Sequence, residues 1–181
     1  MTTPILPPQP SKGETSIAAG FALMIETACE DFEILQRLIR QETQLVSHTG
    51  RNDFRAGPRI QMALAKSFVF NVVRARRICE HSRGSLAVNG LERTRFLKAT
   101  ASVLGVRDVN EHGFDTSGRV SKPMMHKHPE DSAILDETSM VVFDDQKILM
   151  GPLNLYDIYI PTAHMRTLAG FASLHHLEKT R

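Results

Sequence analysis

The chain has 181 residues, of which 41% are hydrophobic and 23% are charged, and its formal net charge is +2. This composition is typical of one soluble globular domain, and so small a charge does not by itself indicate a nucleic-acid binder. No run approaches the roughly 18 apolar residues that span a bilayer, and the N-terminus lacks the basic and apolar regions of a secretory signal. We therefore expect a cytoplasmic protein without a membrane partner.

The N-terminal segment differs in composition from the rest of the chain. Residues 1–14 contain four prolines and no hydrophobic periodicity, which predicts a flexible arm ahead of a single helical domain at 15–181. The first helix is predicted from about Thr15 to Val46, because apolar residues recur there at steps of three and four. These residues are Ile17, Phe21, Met24, Ala28, Phe32, Leu35 and Ile39.

The second helix is predicted to begin near Pro58, since a proline in the first turn gives up no helical hydrogen bond. Its C-terminal half is basic and contains Arg74, Arg76 and Arg77. Cations at this end complement the negative pole of the helix dipole, so stabilisation of the helix end explains them. The alternative is that the three arginines extend a phosphate-binding surface.

The second half of the chain mixes one more long helix with less regular segments. A third helix is predicted at about Leu91–His112, followed by a long irregular connection at 115–137. A β-hairpin is predicted at about 139–150, where apolar runs flank a short polar turn. The last helix is predicted to be capped by Asn154 and to be broken or kinked by Pro161.

These elements predict an all-α fold, an up-and-down bundle of four or five helices with a small β-hairpin insertion, because short links between long helices favour antiparallel neighbours.

Cys29 and Cys79 lie in predicted helices without metal-binding spacing, so we expect buried, reduced thiols. His126 and His128 point to opposite faces of an extended segment with no third ligand nearby, and we expect exposed loop histidines. No glycine-rich phosphate loop or catalytic elbow occurs, and we expect neither a cofactor nor a metal.

The end of the third predicted helix has the form R-x4-H, with a small polar residue directly after the arginine. It reads Arg-Asp-Val-Asn-Glu-His from Arg107 to His112 and continues into Gly-Phe-Asp. In an all-helical bundle, this motif resembles that of the HEPN superfamily, although it is only six residues long. The resemblance implies a four-helix bundle and, in active members, a homodimeric ribonuclease that works without metal. It therefore suggests a toxin or defence role, with RNA as substrate and an antitoxin-like partner protein.

The chemistry of the three polar residues is compatible with RNA cleavage. His112 titrates near neutral pH and is expected to act as acid or base. Arg107 keeps its charge and offers a planar fork for phosphate oxygens. Asp108 lies one helical turn before His112 and is expected to orient its imidazole.

Helix geometry leaves a structural explanation open. Five residues rotate a helix by about 140°, so Arg107 and His112 do not share a face, and Arg107 has Glu111 as a neighbour for an ordinary salt bridge. Two copies meeting across a dimer axis would bring one arginine near the other histidine. The alternatives are a non-catalytic helical interaction protein, in which these residues only cap a helix, and a small-ligand binder.

Overall fold

A computed structural model describes residues 12–49, 58–82, 86, 88–112, 124–128 and 133–178. In these ranges the chain forms five helices and five short strands, and it is mainly helical with small antiparallel sheets. The helices are α1 (Lys12–Thr49), α2 (Pro58–His81), α3 (Gly90–Ala99), α4 (Val103–His112) and α5 (Leu155–Glu178). The strands are β1 (His126–His128), β2 (Ala133–Leu135), β3 (Met140–Val142), β4 (Ile148–Met150) and β5 (Leu153–Asn154). Most of the predicted N-terminal arm lies outside the described residues, but its last three positions belong to α1.

Helix α1 is the element against which the other long helices pack. It contacts α2 and α5, and its predicted apolar positions from Phe21 to Ile39 are buried or partly buried. Phe32 lies between the two neighbours, with its ring centroid 5.1 Å from that of Phe68 on α2 and 4.6 Å from that of Tyr159 on α5. Complete burial of one such side chain contributes about 1.5–3 kcal/mol, so this row supplies much of the core. The helical periodicity of this segment is confirmed, and α1 extends three residues beyond each predicted end.

Helix α2 begins at Pro58, as predicted, and buries the face that contains Phe68, Val69 and Val72. It meets α1 through a polar contact as well. Asp31 Oδ2 accepts hydrogen bonds from the Ser67 hydroxyl at 2.7 Å and from the Asn71 amide at 3.2 Å. The partners satisfy a carboxylate that is only partly exposed, as a polar group between two helices requires.

The prediction of one helix at Leu91–His112 is wrong, because the segment folds as two helices. Helix α3 ends at Ala99, Thr100 is its C-terminal cap, and α4 begins at Val103. Between them, the Ala101 amide donates to the carbonyl of Lys98 at 3.4 Å, a bond three residues back, where an α-helix uses the carbonyl four residues back. Helix α3 packs against α2 and α5, whereas the principal contact of α4 is with α2.

The β-hairpin predicted at 139–150 is confirmed as the antiparallel pair of β3 and β4. The Asp144 carboxylate closes its turn by accepting hydrogen bonds from the amides of Gln146 at 2.8 Å and Lys147 at 2.7 Å. Strand β5 adds a third antiparallel strand beside β4. Gly151, between β4 and β5, has φ of +53°, and a Cβ there would lie 2.8 Å from the Cα of Glu137. A glycine is therefore required at this turn.

The connection predicted to be irregular at 115–137 contains a second hairpin, so that prediction is wrong for two short segments. Strands β1 and β2 pair antiparallel, with His126 opposite Leu135 and His128 opposite Ala133. Residues 113–123 and 129–132 lie outside the described residues. Three-residue strands give too little alternation to identify from sequence, because the period of two must repeat several times to be recognised.

Helix α5 confirms one prediction and corrects half of another, because Pro161 does not break the helix; whether it kinks the helix stays a prediction. Asn154 precedes its first residue, and its side-chain oxygen accepts a hydrogen bond from the Tyr156 amide at 3.3 Å, as a capping residue does. Pro161 does not end the helix, which continues to Glu178. Buried side chains on both sides of the proline, at Ile158, Thr162 and Met165, hold the two parts in one helix. Packing thus offsets the roughly 3 kcal/mol cost of an interior proline.

None of the helices in the described ranges has both the length and the apolar character needed to cross a membrane.

Candidate functional site

The predicted motif occupies a short helix of its own. Helix α4 is fixed by Val103 and Val106, which are both fully buried, and the next two residues are the motif's arginine and aspartate. The guanidinium of Arg107 lies 2.9 Å from the carboxylate of Asp108. The Arg107 side chain is 15% exposed and that of Asp108 is 54% exposed. The pair therefore lies where the buried face of α4 gives way to solvent.

The last turn of α4 contains the remaining residues of the motif. The helix ends at His112, and its backbone places Asp108 and His112 one turn apart on the same side of the helix. The side chains of residues 109–112 lie outside the described residues. The contact expected between Asp108 and His112, and the alternative salt bridge from Arg107 to Glu111, therefore stay predictions.

The chemistry of Arg107 suits the binding of an anion. A guanidinium keeps its charge at any relevant pH and presents several N–H donors in one plane. In its contact with Asp108, one of its nitrogens, Nη1, donates to one carboxylate oxygen, Oδ1.

The three arginines of α2 do not form one surface. Arg74 and Arg77 are exposed, but Arg76 is only 5% exposed and points between helices. Its guanidinium donates to the Leu97 carbonyl, to the Thr100 hydroxyl at 2.9 Å and to the Glu80 carboxylate at 3.0 Å. Arg76 consequently does not reach a phosphate at the protein surface, and only Arg74 and Arg77 remain candidates for that role.

A histidine–carboxylate cluster that the sequence did not predict lies between the two sheets. The Glu137 carboxylate lies 2.6 Å from Nε2 of His126 and accepts the Met124 amide at 2.8 Å. Nε2 of His128 lies 2.7 Å from the carbonyl oxygen of Gly151. The expectation of exposed loop histidines is wrong, because both are half-buried strand residues. Their sequence signal was weak, since the carboxylate follows His126 by eleven residues.

Hydrogen bonding controls the ionisation of that carboxylate. Burial acts to raise the pKa of Glu137, but the hydrogen bonds from His126 and from the backbone outweigh it and lower the pKa below its ordinary value. The ionised carboxylate joins the start of β1 to the end of β2, and Gly151 packs directly against it. The cluster thus explains how the two hairpins are held together.

A second polar cluster joins α1 to α5. Glu33 lies 2.6 Å from Arg166 and accepts a hydrogen bond from the Tyr159 hydroxyl at 2.9 Å. Burial opposes ionisation of Glu33, but these two partners lower its pKa below the ordinary value. Burial and the contact with Glu33 raise the pKa of Tyr159 to about 12. Burial likewise raises the pKa of the Cys29 thiol to about 12, so this cysteine is an unreactive core residue.

Among the residues that the structure describes, no group of three or more histidine, cysteine, aspartate or glutamate side chains has the arrangement of a metal site. Comparison with known protein families, with curated proteins and with solved structures gives no match for this chain.

Proposed function

We propose that the chain is a HEPN-like protein whose helices form an up-and-down bundle, and that it is a homodimeric, metal-independent endoribonuclease with its site at the end of α4. The observation that carries this proposal is the position of Arg107. Arg107 directly follows the buried anchor Val106, its side chain is 15% exposed, and it lies on the same short helix that ends at His112. Cleavage of a phosphodiester needs a cation that binds the phosphate and a group that transfers the proton. A permanently charged arginine and a histidine on one short helix are residues that supply these two groups.

The proposed reaction uses the RNA's own 2′-hydroxyl as the nucleophile. His112 removes the proton as the 2′-oxygen attacks phosphorus, and the bond between phosphorus and the 5′-oxygen breaks. The leaving 5′-oxygen takes up a proton, so the products are a 2′,3′-cyclic phosphate and a 5′-hydroxyl. Arg107 binds the phosphate oxygens, on which negative charge accumulates in the transition state. Asp108 keeps the imidazole oriented.

The proposed mechanism requires a dimer because Arg107 and His112 occupy different faces of α4. Positions 107 and 112 lie about 140° apart around an ideal helix, so a single copy is not expected to direct both residues at one phosphate. Two α4 helices meeting across a twofold axis bring the arginine of one protomer towards the histidine of the other. Exposed Arg74 and Arg77 on α2, the main packing partner of α4, extend the phosphate contacts.

One observation favours a second function, that of a non-catalytic interaction protein. The Arg107 side chain is mostly covered and already contacts Asp108 at 2.9 Å, as in a helix end tied by its own ion pair. In that case the same residues stabilise α4, and the protein acts through a surface that binds another protein. Activity measurements separate the two functions.

The decisive experiment is incubation of the purified protein with a mixed RNA pool in the presence of EDTA. Arg107→Ala and His112→Ala are each expected to lower the cleavage rate by about 10²- to 10⁴-fold, the usual contribution of a charge stabiliser or an acid–base group. The products are expected to have 2′,3′-cyclic phosphate and 5′-hydroxyl ends.

The matched control is Arg95→Ala, which removes an exposed arginine of α3 that is paired with Glu92 on its own helix. It is expected to cleave like the wild type. Equal cleavage by all variants would identify a contaminating nuclease, and no cleavage by the wild type would leave the interaction protein as the better description.

A further inference from the structure

The helix break that creates α4 coincides with a side chain from another helix. In a continuous helix the Ala101 amide would bond to the carbonyl of Leu97, four residues back. Here that amide bonds to Lys98, and the Leu97 carbonyl accepts a hydrogen bond from Nη1 of Arg76 on α2 instead. The guanidinium thus bonds to the carbonyl that would accept the Ala101 amide in a continuous helix.

Arg76 also bonds to the C-terminal cap of α3. The Thr100 hydroxyl donates to the Phe96 carbonyl at 2.7 Å and accepts from Nη1 of Arg76 at 2.9 Å. Thr100 is completely buried and Arg76 is 5% exposed, so water does not satisfy these groups in their place. One guanidinium nitrogen therefore serves both acceptors at the end of α3.

The α2–α3 contact has a second, independent arginine. Arg93 of α3 donates to the carbonyl of Cys79 near the end of α2, at 2.7 Å. Each helix thus supplies a cation for the carbonyl end of the other, where cations are favoured by the helix dipole. Because Arg93 remains in place, removal of Arg76 alone leaves α3 docked and changes mainly the break after it.

We infer that Arg76 is a positioning residue for the α4 site: it ends α3 at Ala99, so that Arg107 and Asp108 lie on a separate helix that starts at Val103. What this site does rests on the proposed function. The helix break and the role of Arg76 in it do not depend on that chemistry.

The first test is amide hydrogen exchange, which needs no activity. In Arg76→Met, the amides of residues 100–106 are expected to exchange at least about tenfold faster than in the wild type, beyond any acceleration at 62–73 in α2 that follows from the lower global stability. Thr100→Val is expected to have a similar but smaller effect, and Arg95→Met none. Unchanged exchange at 100–106 in Arg76→Met would overturn the inference, whether or not the protein cleaves RNA.

The second test uses the cleavage reaction and distinguishes positioning from phosphate binding. Arg76→Met is expected to lower kcat about tenfold with KM within about twofold of the wild type, since misplacement acts in the transition state. The dependence of KM on salt is expected to stay unchanged, whereas the loss of one phosphate contact reduces it. A raised KM with a weaker salt dependence would contradict positioning and return Arg76 to the phosphate-binding surface.

The double variant Arg76→Met/Thr100→Val completes the test. If the two residues act through their shared hydrogen bond, the loss of kcat in the double variant equals that of Arg76→Met alone. Additive losses would show that the residues act separately and would count against the inference. Lack of cleavage by the wild type sinks the proposed function, but the exchange measurement still decides the role of Arg76.

Discussion

Arg76 and Arg166 each join a pair of helices in this protein, and they do so in opposite ways. Arg76, in the α2–α3 contact, has a side chain that is 6% exposed and bonds mainly to uncharged groups, a carbonyl and a hydroxyl. Arg166, in the α1–α5 contact, is 30% exposed and pairs with the Glu33 carboxylate at 2.6 Å. The ion pair looks stronger, but water competes for it. The buried arginine is expected to contribute more to stability, because water does not reach its partners and cannot replace it as a donor.

The α1–α5 contact draws its stability from the aromatic rings beneath the ion pair. Phe32 is completely buried and stacks on Tyr159, with Phe68 on its other side. In the α2–α3 contact the guanidinium itself fills the space between the helices. Its buried Nε–H has no hydrogen-bond partner among the described residues, so this arrangement has a cost that its other bonds offset.

The largest effect is expected at the aromatic centre of the α1–α5 contact. Phe32→Ala is expected to lower the free energy of unfolding by about 3–5 kcal/mol, because it leaves a cavity between three helices. Urea denaturation followed by circular dichroism measures the change. The matched control Ile34→Ala, two residues along α1 and 40% exposed, is expected to change stability by less than about 0.5 kcal/mol. Equal losses in both variants would show that the ring is not the centre of this contact.

The next largest effect is expected for Arg76. Arg76→Met is expected to lower the free energy of unfolding by about 2–3 kcal/mol, since it leaves the Leu97 carbonyl and the Thr100 hydroxyl without their donor. Arg77→Met, a change at the exposed neighbouring position, is expected to cost less than about 0.5 kcal/mol. The same urea titration compares them. A loss for Arg76→Met as small as for Arg77→Met would remove the contrast between the two helix contacts.

A smaller effect is expected for the ion pair. Arg166→Met is expected to lower the free energy of unfolding by about 1 kcal/mol or less, because both partners are partly exposed. The loss is expected to shrink further in 0.5 M salt, which screens the wild-type pair, whereas the loss from Arg76→Met stays the same. A loss above that of Arg76→Met would reverse the ranking of the two arginines.

The smallest effects concern pH and the α1–α5 contact. The pKa of Glu33 is lowered in the folded protein, so its stabilising contribution is present above the ordinary value of 4.5 and is lost as pH falls through the folded pKa. The pKa of Tyr159 is raised to about 12 from an ordinary value of 10.0, so its contribution is complete below pH 10 and is lost as pH rises towards 12.

Thermal melts from pH 2 to 12 measure both limbs of this profile. Glu33→Gln is expected to flatten the acid limb in part, because Glu137 also has a lowered pKa and continues to contribute. Tyr159→Phe is expected to flatten the alkaline limb strongly and the acid limb slightly, because the Tyr159 hydroxyl also helps to lower the pKa of Glu33. An alkaline limb that is the same in Tyr159→Phe and in the wild type would assign it to another group, such as the Cys29 thiol, whose pKa is also raised.

The sequence predicted those parts of the fold that depend on neighbouring residues. Apolar spacing located α1, Pro58 marked the start of α2, and Asn154 marked the start of α5, since each acts through contacts within one or two helical turns. The hairpin of β3 and β4 was predicted for the same reason. Its turn is closed by Asp144, a residue within the turn itself.

Features set by distant residues could not be predicted in this way. The break between α3 and α4 depends on Arg76, which precedes the Leu97 carbonyl by 21 residues. The continuity of α5 through Pro161 depends on packing along its length. At the candidate site, the sequence indicated the polar residues of α4 but not that Arg76 turns inward while Arg74 and Arg77 stay outside. In the sequence these three arginines are equivalent, and only the contact with α3 distinguishes the buried Arg76 from the other two.

The length and central position of α1 constrain how the protein is made. Its Glu33 pairs with Arg166, which is synthesised 133 residues later. Its Gln36 donates to the carbonyl of Asp145, which is synthesised 109 residues later. At roughly 5–20 residues per second, a ribosome takes on the order of ten seconds to deliver these partners. During that interval the apolar face of the nascent helix is only half covered, by α2. A chaperone that binds exposed helical surfaces therefore has its opportunity here, before synthesis ends.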